Sequence, residues 1–496
     1  MIEENLFPVR PQEKPLDLRQ RANAFIQFVM DPNNGVLRTN DSGRQHFTAF
    51  LEGFGSELIT YGAIVVGMHM RGEDVSALLP SLEDYYSEAF GVFLNGPGDT
   101  LCEYWYLMYV NALACEIVKR CLLHDPVGVA RLRRAMERLI ELGQAVNYDF
   151  NDQGYDFAAN RPFTRNDAYR QPDAIGGYAY LMAAAFEVFG EEKYRGEARR
   201  ALTSYQMFSS NPWYEIPSGA MAVLAASKWS LENREIDLDR IVRFALDPQE
   251  GCLHTGSWGD KEINGLLYGW RGYTREEAAS RAYSLESMVA LPFLAPLVKY
   301  HPRYAPVIGR YALHLAANLR WYFSDCLPAD DQSRPDLTEA VPYESIRRNE
   351  QGRALYACGD FHGHKSVYGG ALSLWLGEII RPTEDEYVLQ IDLNKTDFLA
   401  TSCCPTFLYY NPHDEEREAV LYLSEGKFDV YDVAAHRFVL REAQHQALLA
   451  VPAQGTAVVA LTPSGERIYE KDGILYAGDA PLDFHVKERA ENHVSL

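Results

Sequence analysis

The chain has 496 residues, of which 47% are hydrophobic and 12% aromatic, so it can bury a large core and general disorder is excluded. Its 47 basic and 69 acidic residues give a net charge of -22, which argues against nucleic acid or an anionic membrane surface as the main partner. No apolar run approaches the ~18 residues that a membrane-spanning helix needs.

The N-terminal residues MIEENLFPVRPQEKPLDLRQ contain no basic region followed by an apolar stretch. We therefore expect no secretory signal and a cytoplasmic protein. The eight cysteines lack the spacing of a disulfide framework, which favours reduced thiols. Neither the adjacent Cys403 and Cys404 nor the His362-Gly-His364 run supplies enough ligands for a metal site, so the sequence predicts no metal and no cofactor.

Helical periodicity dominates the first ~380 residues. The pattern predicts twelve helices, at 17–30, 45–70, 78–93, 99–123, 126–146, 173–189, 191–208, 217–230, 237–246, 275–299, 302–323 and 366–380. The even-numbered helices are apolar nearly all round and rich in Gly, Ala and Ser, as buried helices are. Odd-numbered helices such as VARLRRAMERLIELGQ carry a charged stripe. This alternation predicts an inner ring of helices inside an outer ring that faces water.

The connections between these helices alternate in length. Long connections precede the inner helices, at about 31–44, 94–99, 147–172, 209–216, 247–274 and 324–365. Short ones lie near 71–77, 124–125, 190, 231–236 and 300–301. In an up-and-down helical array every second connection emerges on the same side, so the long loops are expected to share one face. Long, aromatic and charged loops are typical of a functional face.

The pattern changes to period two after Arg381-Pro382. Segments such as EYVLQIDL, EAVLYLSEG and KFDVYDVAAHRFVL predict an antiparallel β-sandwich of about 7 to 9 strands over residues 384–496. The predicted fold class is therefore mainly α with a β domain. The helical domain covers residues 1–380, and the sandwich is an accessory domain.

Six hairpins of alternately solvated and buried helices resemble the (α/α)6 toroid of six-hairpin carbohydrate-active enzymes. The resemblance covers about residues 1–380, is architectural, and extends to glycoside hydrolases and polysaccharide lyases alike. It implies a catalytic toroid that acts on an oligosaccharide, braced by the sandwich. Because one fold hosts several reactions, the chemistry must come from the site itself.

Three carboxylates, Asp173, Glu215 and Glu344, lie at the starts of different predicted inner helices. Asp173 has a capping role as its structural alternative, but its position is similar to that of an essential Asp in unsaturated glucuronyl hydrolases. Glu215 follows Trp213 and Tyr214, and a partly apolar site raises a carboxyl pKa and suits a general acid. These three carboxylates are the predicted acid and base groups.

Aromatic, basic and polar side chains in the same loops form the predicted binding surface. Two adjacent large aromatics are costly to expose unless they pack or bind something. Arginine suits bidentate recognition of a carboxylate, which favours an anionic or uronic-acid-containing oligosaccharide. The predicted substrate contacts are Trp213, Tyr214, Trp258, Trp270, Arg271, Arg281, Tyr343, Asp360, His362 and His364.

Three functions follow from these residues. Glycoside hydrolysis needs two carboxylates on either side of a bound sugar, and it is the leading interpretation. The first alternative is a lyase that acts by β-elimination, with His254 and Tyr283 as the proton-transfer pair. The second alternative is a carbohydrate-binding protein without catalytic activity.

Overall fold

The computed structural model describes residues 6–53, 55–233, 235–272, 274–348, 354–358, 364–400 and 402–485. The helices in these ranges are α1 (Leu18–Met30), α2 (Leu58–Met70), α3 (Tyr104–Cys121), α4 (Pro126–Ala145), α5 (Ala174–Phe189), α6 (Glu192–Gln206), α7 (Ile216–Trp229), α8 (Leu238–Ala245), α9 (Arg275–Ala279), α10 (Ser284–Leu294), α11 (Leu297–Tyr300), α12 (Ala305–Asn318) and α13 (Val367–Ile379). None of them is long and apolar enough to cross a membrane.

A closed ring of inner helices forms the centre of the molecule. Each of α2, α3, α5, α7, α10 and α13 packs against the next in that order, and α13 packs against α2. Small residues permit this close packing. A Cβ atom on Gly67 of α2 would lie 2.6 Å from Leu374 Cβ of α13, and one on Gly176 of α5 would lie 2.9 Å from Ala222 Cβ of α7. The predicted inner ring is confirmed.

Outer helices α1, α4, α6, α8 and α12 pack on the outside of this ring. They are amphipathic, as the charged stripes predicted: α4 buries Leu132, Met136 and Leu139, while Arg134 and Glu141 on its outer side form an ion pair of 2.6 Å. Such a helix gains stability mainly by burying its apolar face. Outer and inner helices alternate along the chain, except that a 3-10 helix, Leu79–Tyr85, stands in the outer position between α2 and α3. This is the arrangement of an (α/α)6 toroid.

Three predicted helices differ from the structure. Residues 78–93 form a 3-10 helix, Leu79–Tyr85, and a short hairpin whose turn has Gly91 at φ 66°. The predicted helix 45–70 begins only at Leu58, because strand pairing and Gly53 at φ 96° precede it. The predicted helix 275–299 is divided into α9, a strand, α10 and α11. An apolar pattern alone does not reveal where a turn or a short strand interrupts a helix.

Short strands tie the long loops together above the ring. They are β1 (Leu37–Thr39), β2 (Gln45–Phe47), β3 (Tyr86–Ser87), β4 (Val92–Phe93), β5 (Leu101–Glu103), β6 (Gly154–Asp156), β7 (Arg161–Phe163), β8 (Ser257–Trp258), β9 (Lys261–Glu262), β10 (Arg281–Tyr283), β11 (Ser345–Arg347) and β12 (Tyr356–Cys358). Two three-stranded sheets, β5–β6–β7 and β10–β11–β12, join loops that are distant in sequence. This pairing fixes the loops immediately before α3 and α10.

The C-terminal part is antiparallel, as the period-two pattern predicted. Its strands are β13 (Ile380–Pro382), β14 (Leu389–Asp392), β15 (Thr406–Tyr410), β16 (Arg417–Tyr422), β17 (Phe428–Asp432), β18 (Arg437–Ala443), β19 (Gln446–Val451), β20 (Thr456–Pro463), β21 (Ile468–Lys471), β22 (Ile474–Ala477) and β23 (Ala480–Asp483). A sheet of order β13–β14–β15–β20–β17–β18 packs on the β16–β19 pair through Ala419, Leu421 and Leu449. Its other face packs on α12, where a Cβ atom on Gly309 would lie 2.7 Å from Tyr410 Cβ.

Candidate active site

The N-terminal ends of the inner helices bring carboxyl groups together on the long-loop face. Directly before α2, α3 and α7 lie Glu57, Glu103 and Glu215. Asp173 directly precedes α5, and Glu286 lies in the first turn of α10. At the start of α13, Tyr368 donates a hydrogen bond of 2.8 Å to Glu344 Oε1. We call this set the carboxyl ring; it comprises Glu57, Glu103, Asp173, Glu215, Glu286 and Glu344. The positive ends of the helix dipoles favour negative charge at these positions.

Neighbouring segments, rather than the carboxyl ring, cap the inner helices α2 and α3. The backbone and side-chain oxygens of Asn95 accept hydrogen bonds from the first two amide groups of α2, at 2.7 and 3.2 Å. Gln171 Oε1 accepts from Trp105 N of α3 at 2.8 Å. Accordingly, the side chains of Glu57 and Glu103, which occupy the cap positions themselves, make no capping bond. Such a cap residue normally uses its own side chain for this purpose.

The side chain of Asp173, which directly precedes α5, connects the start of that helix to the start of α7. Its Oδ2 accepts hydrogen bonds from Tyr214 N at 2.9 Å and from Glu215 N at 3.3 Å, rather than capping its own helix. The residue is 0% exposed, and its Oδ1 has no hydrogen-bond partner among the described residues. Burial raises the pKa of Asp173 to about 7, although these backbone bonds and Arg271 oppose the effect. Asp173 therefore positions Glu215.

Glu215 is a buried carboxyl group that lies close to other members of the ring. It is 8% exposed, and its Oε2 lacks a hydrogen-bond partner within the described part of the chain. Burial raises its pKa well above the ordinary value, and the charges of Glu286, Glu103 and Asp173 raise it further. The surroundings of Glu215 therefore favour its protonated form, which is the form that a general acid requires.

Tyr106, in the first turn of α3, lies among these carboxyl groups. Burial raises the pKa of its hydroxyl, and the charges of Glu57, Glu215, Glu103 and Glu286 add to the effect in that order. The charges of four members of the carboxyl ring therefore act on this one tyrosine. This shared neighbour shows that residues from four inner helices converge on one place.

A cleft of about 200 Å³ opens beside Glu103 and Tyr106. The two oxygens of Glu103 accept hydrogen bonds from Gln153 Nε2 at 2.9 Å and Gln171 Nε2 at 2.8 Å, which hold its carboxylate in place. The remaining walls of the cleft are Asn95, Asp99, Leu101, Cys102, Phe163 and Arg165. The cleft gives access to the carboxyl ring from the side of α3.

Glu57 and Asp99 add to the acidity of this side. Burial raises the pKa of Glu57 to about 7, a hydrogen bond with Asn95 lowers it, and the charge of Asp99 raises it. Burial also raises the pKa of Asp99, against a backbone hydrogen bond from Gly96. The pKa of each carboxyl group is therefore above its own ordinary value.

A second, smaller cleft of about 140 Å³ lies beside Trp270, Arg281 and Tyr283, where the long loop before α9 meets α9 and β10. Trp270 is half-buried and meets Tyr169 edge-on, with ring centroids 5.8 Å apart. Arg281 Nη1 donates to the Tyr283 hydroxyl at 3.3 Å. Trp270, one of the predicted aromatic contacts, lines this cleft and is suited to stack on a sugar ring.

The other predicted aromatic contacts are buried in the floor of the site. Trp213 donates through Nε1 to the backbone oxygen of Glu250 at 2.7 Å, and Trp213 packs edge-on against Tyr268. Tyr214 and Trp258 are buried as well. These side chains pack within the loop, which fits the packing alternative for Trp213 and Tyr214, and their predicted contact with substrate stays a prediction.

His254 is placed where it does not suit proton transfer. Its Nε2 lies 2.7 Å from the backbone oxygen of Arg281, and because a carbonyl oxygen only accepts, Nε2 carries the hydrogen. Burial lowers the pKa of His254 to about 3, and the charge of Arg348 contributes to the lowering. The ring also packs against Tyr268, with centroids 4.1 Å apart. These contacts favour a role in holding the loop before α10.

The remaining predicted contacts have other surroundings. Tyr343 is buried, and its hydroxyl donates to Gln332 Oε1 at 3.1 Å. His364 is buried as well, with Nδ1 3.4 Å from Glu52 Oε2. Arg271 is exposed and acts on Asp173 through its charge. Asp360 and His362 lie outside the described residues.

Glu57, Glu103, Tyr106 and Glu286 are site residues that the sequence pattern does not single out. The first two fall inside the predicted helices 45–70 and 99–123, whereas the helices of the structure begin at Leu58 and Tyr104. The signal that identifies Glu57 and Glu103 is the position of an acidic residue directly before an apolar, small-residue-rich helix. By that signal the sequence marks Glu57, Glu103, Asp173 and Glu215 alike.

The described residues contain no group of three or more His, Cys, Asp or Glu side chains arranged to hold a metal ion. No family model matches the sequence, and no curated protein matches it.

Solved structures, by contrast, share the architecture. A cellobiose 2-epimerase from Bacillus thermoamylovorans matches with a TM-score of 0.50 and 8% identity over 72% of this chain and 98% of that chain. A sugar epimerase from a ruminal bacterium matches with a TM-score of 0.48 and 10% identity over 71% of this chain and 97% of that chain. A family 76 α-mannanase from Bacteroides thetaiotaomicron matches with a TM-score of 0.47 and 8% identity over 73% and 95% of the two chains. At these identities the likeness shows the fold alone, and the first match confirms the (α/α)6 toroid.

Proposed function

We propose that this protein is a glycoside hydrolase that cleaves an oligosaccharide at the carboxyl ring, with Glu215 as the general acid. The observation that carries the proposal is the position of Glu215, a buried carboxyl group whose pKa is raised by burial and by three neighbouring carboxylates. Hydrolysis of a glycosidic bond needs a protonated carboxyl group to assist departure and an ionised one nearby. The ring supplies both forms within one site.

In this mechanism Glu215 donates its proton to the glycosidic oxygen as the bond to the leaving sugar breaks. Glu286 has the largest charge effect on Glu215 among its neighbours, so we assign it the second role, activating water or attacking the sugar carbon directly. Negative charge around the reaction centre also stabilises the positive charge that develops on the sugar ring. Asp173 acts as a positioning residue, through its bonds to Tyr214 N and Glu215 N.

Elimination is less well supported by the same residues. It requires a group that removes a proton next to a uronate, and His254, the residue predicted for that step, holds a hydrogen bond to a backbone oxygen and has its pKa lowered to about 3. Such a histidine is a weak base at neutral pH. The toroid fold is compatible with either reaction and does not choose between them.

The leaving group provides the test. Replacing Glu215 by Gln removes the proton donor, so we expect kcat/KM for an unactivated oligosaccharide to fall by about 100-fold or more. A dinitrophenyl glycoside departs without protonation, and its cleavage should be reduced far less. The matched control is Glu276→Gln, which changes an exposed carboxyl group of α9 on the same face. Equal losses with both substrates would refute a proton-donor role for Glu215.

A further inference from the structure

We propose that the deepest part of the carboxyl ring binds a cationic substrate group, the protonated amine of an amino sugar. This inference rests on the proposed function for the location of the site and adds the class of sugar that enters it. It replaces the anionic substrate that the arginine content of the loops favoured. Three features of the site support it: its unused acceptors, the sign of its charges and the position of its arginines.

The first feature is the set of acceptors without donors. Asp173 Oδ1 and Glu215 Oε2 are both buried, and neither has a hydrogen-bond partner among the described residues. A buried acceptor without a donor costs free energy, because it has lost its hydrogen bonds to water without gaining new ones. A sugar hydroxyl carries one donor hydrogen, whereas an ammonium group carries three and no acceptor. An ammonium group therefore matches a site that offers oxygen atoms.

The second feature is the sign of the surrounding charge. The charges that raise the pKa of Glu215 come from Glu286, Glu103 and Asp173. Tyr106 lies in the same field, to which Glu57 also contributes. A uronate bound here would add a further negative charge to a site whose own carboxylates already repel one another. A cation would relieve the repulsion, and in a low-dielectric site this attraction is strong.

The third feature is the position of three arginines of this face, Arg165, Arg170 and Arg271. Arg170 is paired with Asp152 at 3.1 Å and with Asp167 at 2.9 Å. Arg165 is exposed in the loop that lines the cleft beside Glu103. Arg271 is exposed and reaches Asp173 through its charge only. These three arginines are therefore exposed or paired with other carboxylates, whereas the charges that act on Glu215 are acidic.

Binding of a cation at this place has a measurable consequence. Without a cation the ring holds extra protons, since the pKa of Asp173 and of Glu57 is raised to about 7. A bound ammonium group favours the ionised forms of Asp173 and Glu57, so these two groups release protons when it binds. A neutral sugar in the same place changes the local charge little and should release none.

Calorimetry with matched monosaccharides tests this. Glucosamine, glucose and glucuronic acid are titrated into the full-length wild-type protein at about pH 6.5, in two buffers of different ionisation enthalpy. We expect glucosamine to bind at least ~10-fold more tightly than glucose and to release about 0.5 to 1 proton, and glucuronic acid to bind most weakly. Equal affinities for glucose and glucosamine, or preference for glucuronic acid, would overturn the inference, as would glucosamine binding without proton release.

Variants connect this preference to the ring. Glu103→Gln removes one negative charge without removing the side chain, so the preference for glucosamine over glucose should fall at least ~3-fold. Glu276→Gln, on the exposed α9, should leave the preference unchanged. An undiminished preference in Glu103→Gln contradicts binding inside the ring. If neutral oligosaccharides are hydrolysed without any preference for amines, this inference fails and the proposed function stands. If glucosamine binds with proton release and no glycoside is cleaved, the proposed function fails and this inference stands.

Discussion

At the scale of single residues, the proposed chemistry depends on carboxyl groups that remain protonated because they are crowded and buried. Burial disfavours the charged form, and each neighbouring carboxylate disfavours it further. Glu215 receives both effects, whereas Glu103 is half-buried and held by two amide donors. Two carboxyl groups of the same kind therefore receive different roles from their surroundings.

The pH profile of the reaction follows from this difference. A general acid works only while it is protonated, so kcat/KM is lost as pH rises through the pKa of Glu215. Glu103→Gln removes a charge that raises this pKa, so the alkaline limb of the profile should move down by about 0.5 to 1 pH unit. Glu276→Gln should leave the limb in place. A limb that stays where it is in Glu103→Gln would show that these two carboxyl groups do not interact.

Asp173 makes stability depend on pH. Its folded-state pKa of about 7 lies above the ordinary value of 3.8, so its contribution to stability is fully present below about pH 4 and is lost as pH rises through 7. A difference of one pH unit between the folded-state and unfolded-state pKa corresponds to about 1.4 kcal/mol, so the loss is on the order of a few kcal/mol.

Urea denaturation of Asp173→Asn across this pH range measures the effect. The variant cannot titrate at this position, so its free energy of unfolding should fall less between pH 4 and 8 than that of the wild type. Asp167→Asn changes a carboxyl group of the same loop whose side chain is 87% exposed, and it should retain the wild-type slope. Parallel curves for Asp173→Asn and wild type would contradict a raised pKa.

At the scale of helices and strands, the sequence predicts most of the architecture and only part of the site. Composition separates inner from outer helices because a helix buried on all sides must be apolar all round. Helix starts are harder to predict, because the apolar pattern of α2 continues backward along the chain through residues 48–57. In the structure the pairing of β1 with β2 and the positive φ of Gly53 precede the helix. Asp173 and Glu215 follow prolines or aromatic loops and can be predicted, whereas Glu57 and Glu103 fall inside predicted helices that are longer than those of the structure.

Close packing between inner helices provides a test at this scale. Gly67→Ala introduces a Cβ atom 2.6 Å from Leu374 Cβ and 3.1 Å from Trp375 Cδ1, both on α13. Overpacking a core of this density costs about 1 to 3 kcal/mol, which outweighs the gain in helix propensity of Ala over Gly. We therefore expect a lower denaturation midpoint. Gly196→Ala is the control, because a Cβ atom at this position of α6 meets nothing within 4 Å and should be neutral or stabilising.

At the scale of the whole molecule, the C-terminal sheet and the toroid share one core. Leu408, Tyr410 and Val458 of the sheet belong to the same apolar cluster as the inner helices. Lys299 of α11 forms a buried ion pair of 2.5 Å with Asp397, whose side chain also accepts from the Tyr300 hydroxyl at 2.6 Å. The sheet therefore braces the side of the toroid away from the carboxyl ring.

Asp397→Asn tests this connection. It leaves the Lys299 charge buried without its partner, which costs about 3 to 5 kcal/mol. Since the core is shared, helical and tertiary signals should still be lost in one transition at a lower denaturant concentration. Glu386→Gln, which removes the exposed partner of Lys14, should cost less than about 1 kcal/mol. Loss of the tertiary signal well before the helical signal in Asp397→Asn would mean that the two parts are stabilised independently.

The most direct test of the central claim is product analysis in water enriched in oxygen-18. Wild-type protein and Glu215→Gln are incubated with a panel of oligosaccharides built from neutral sugars, amino sugars and uronic acids, and the products are followed by mass and ultraviolet absorbance. We predict that the wild type forms shorter sugars carrying one labelled oxygen, and that Glu215→Gln forms them at least ~100-fold more slowly. Unsaturated products, rearranged sugars of unchanged mass, or labelled products formed by Glu215→Gln at the wild-type rate would contradict hydrolysis at the carboxyl ring.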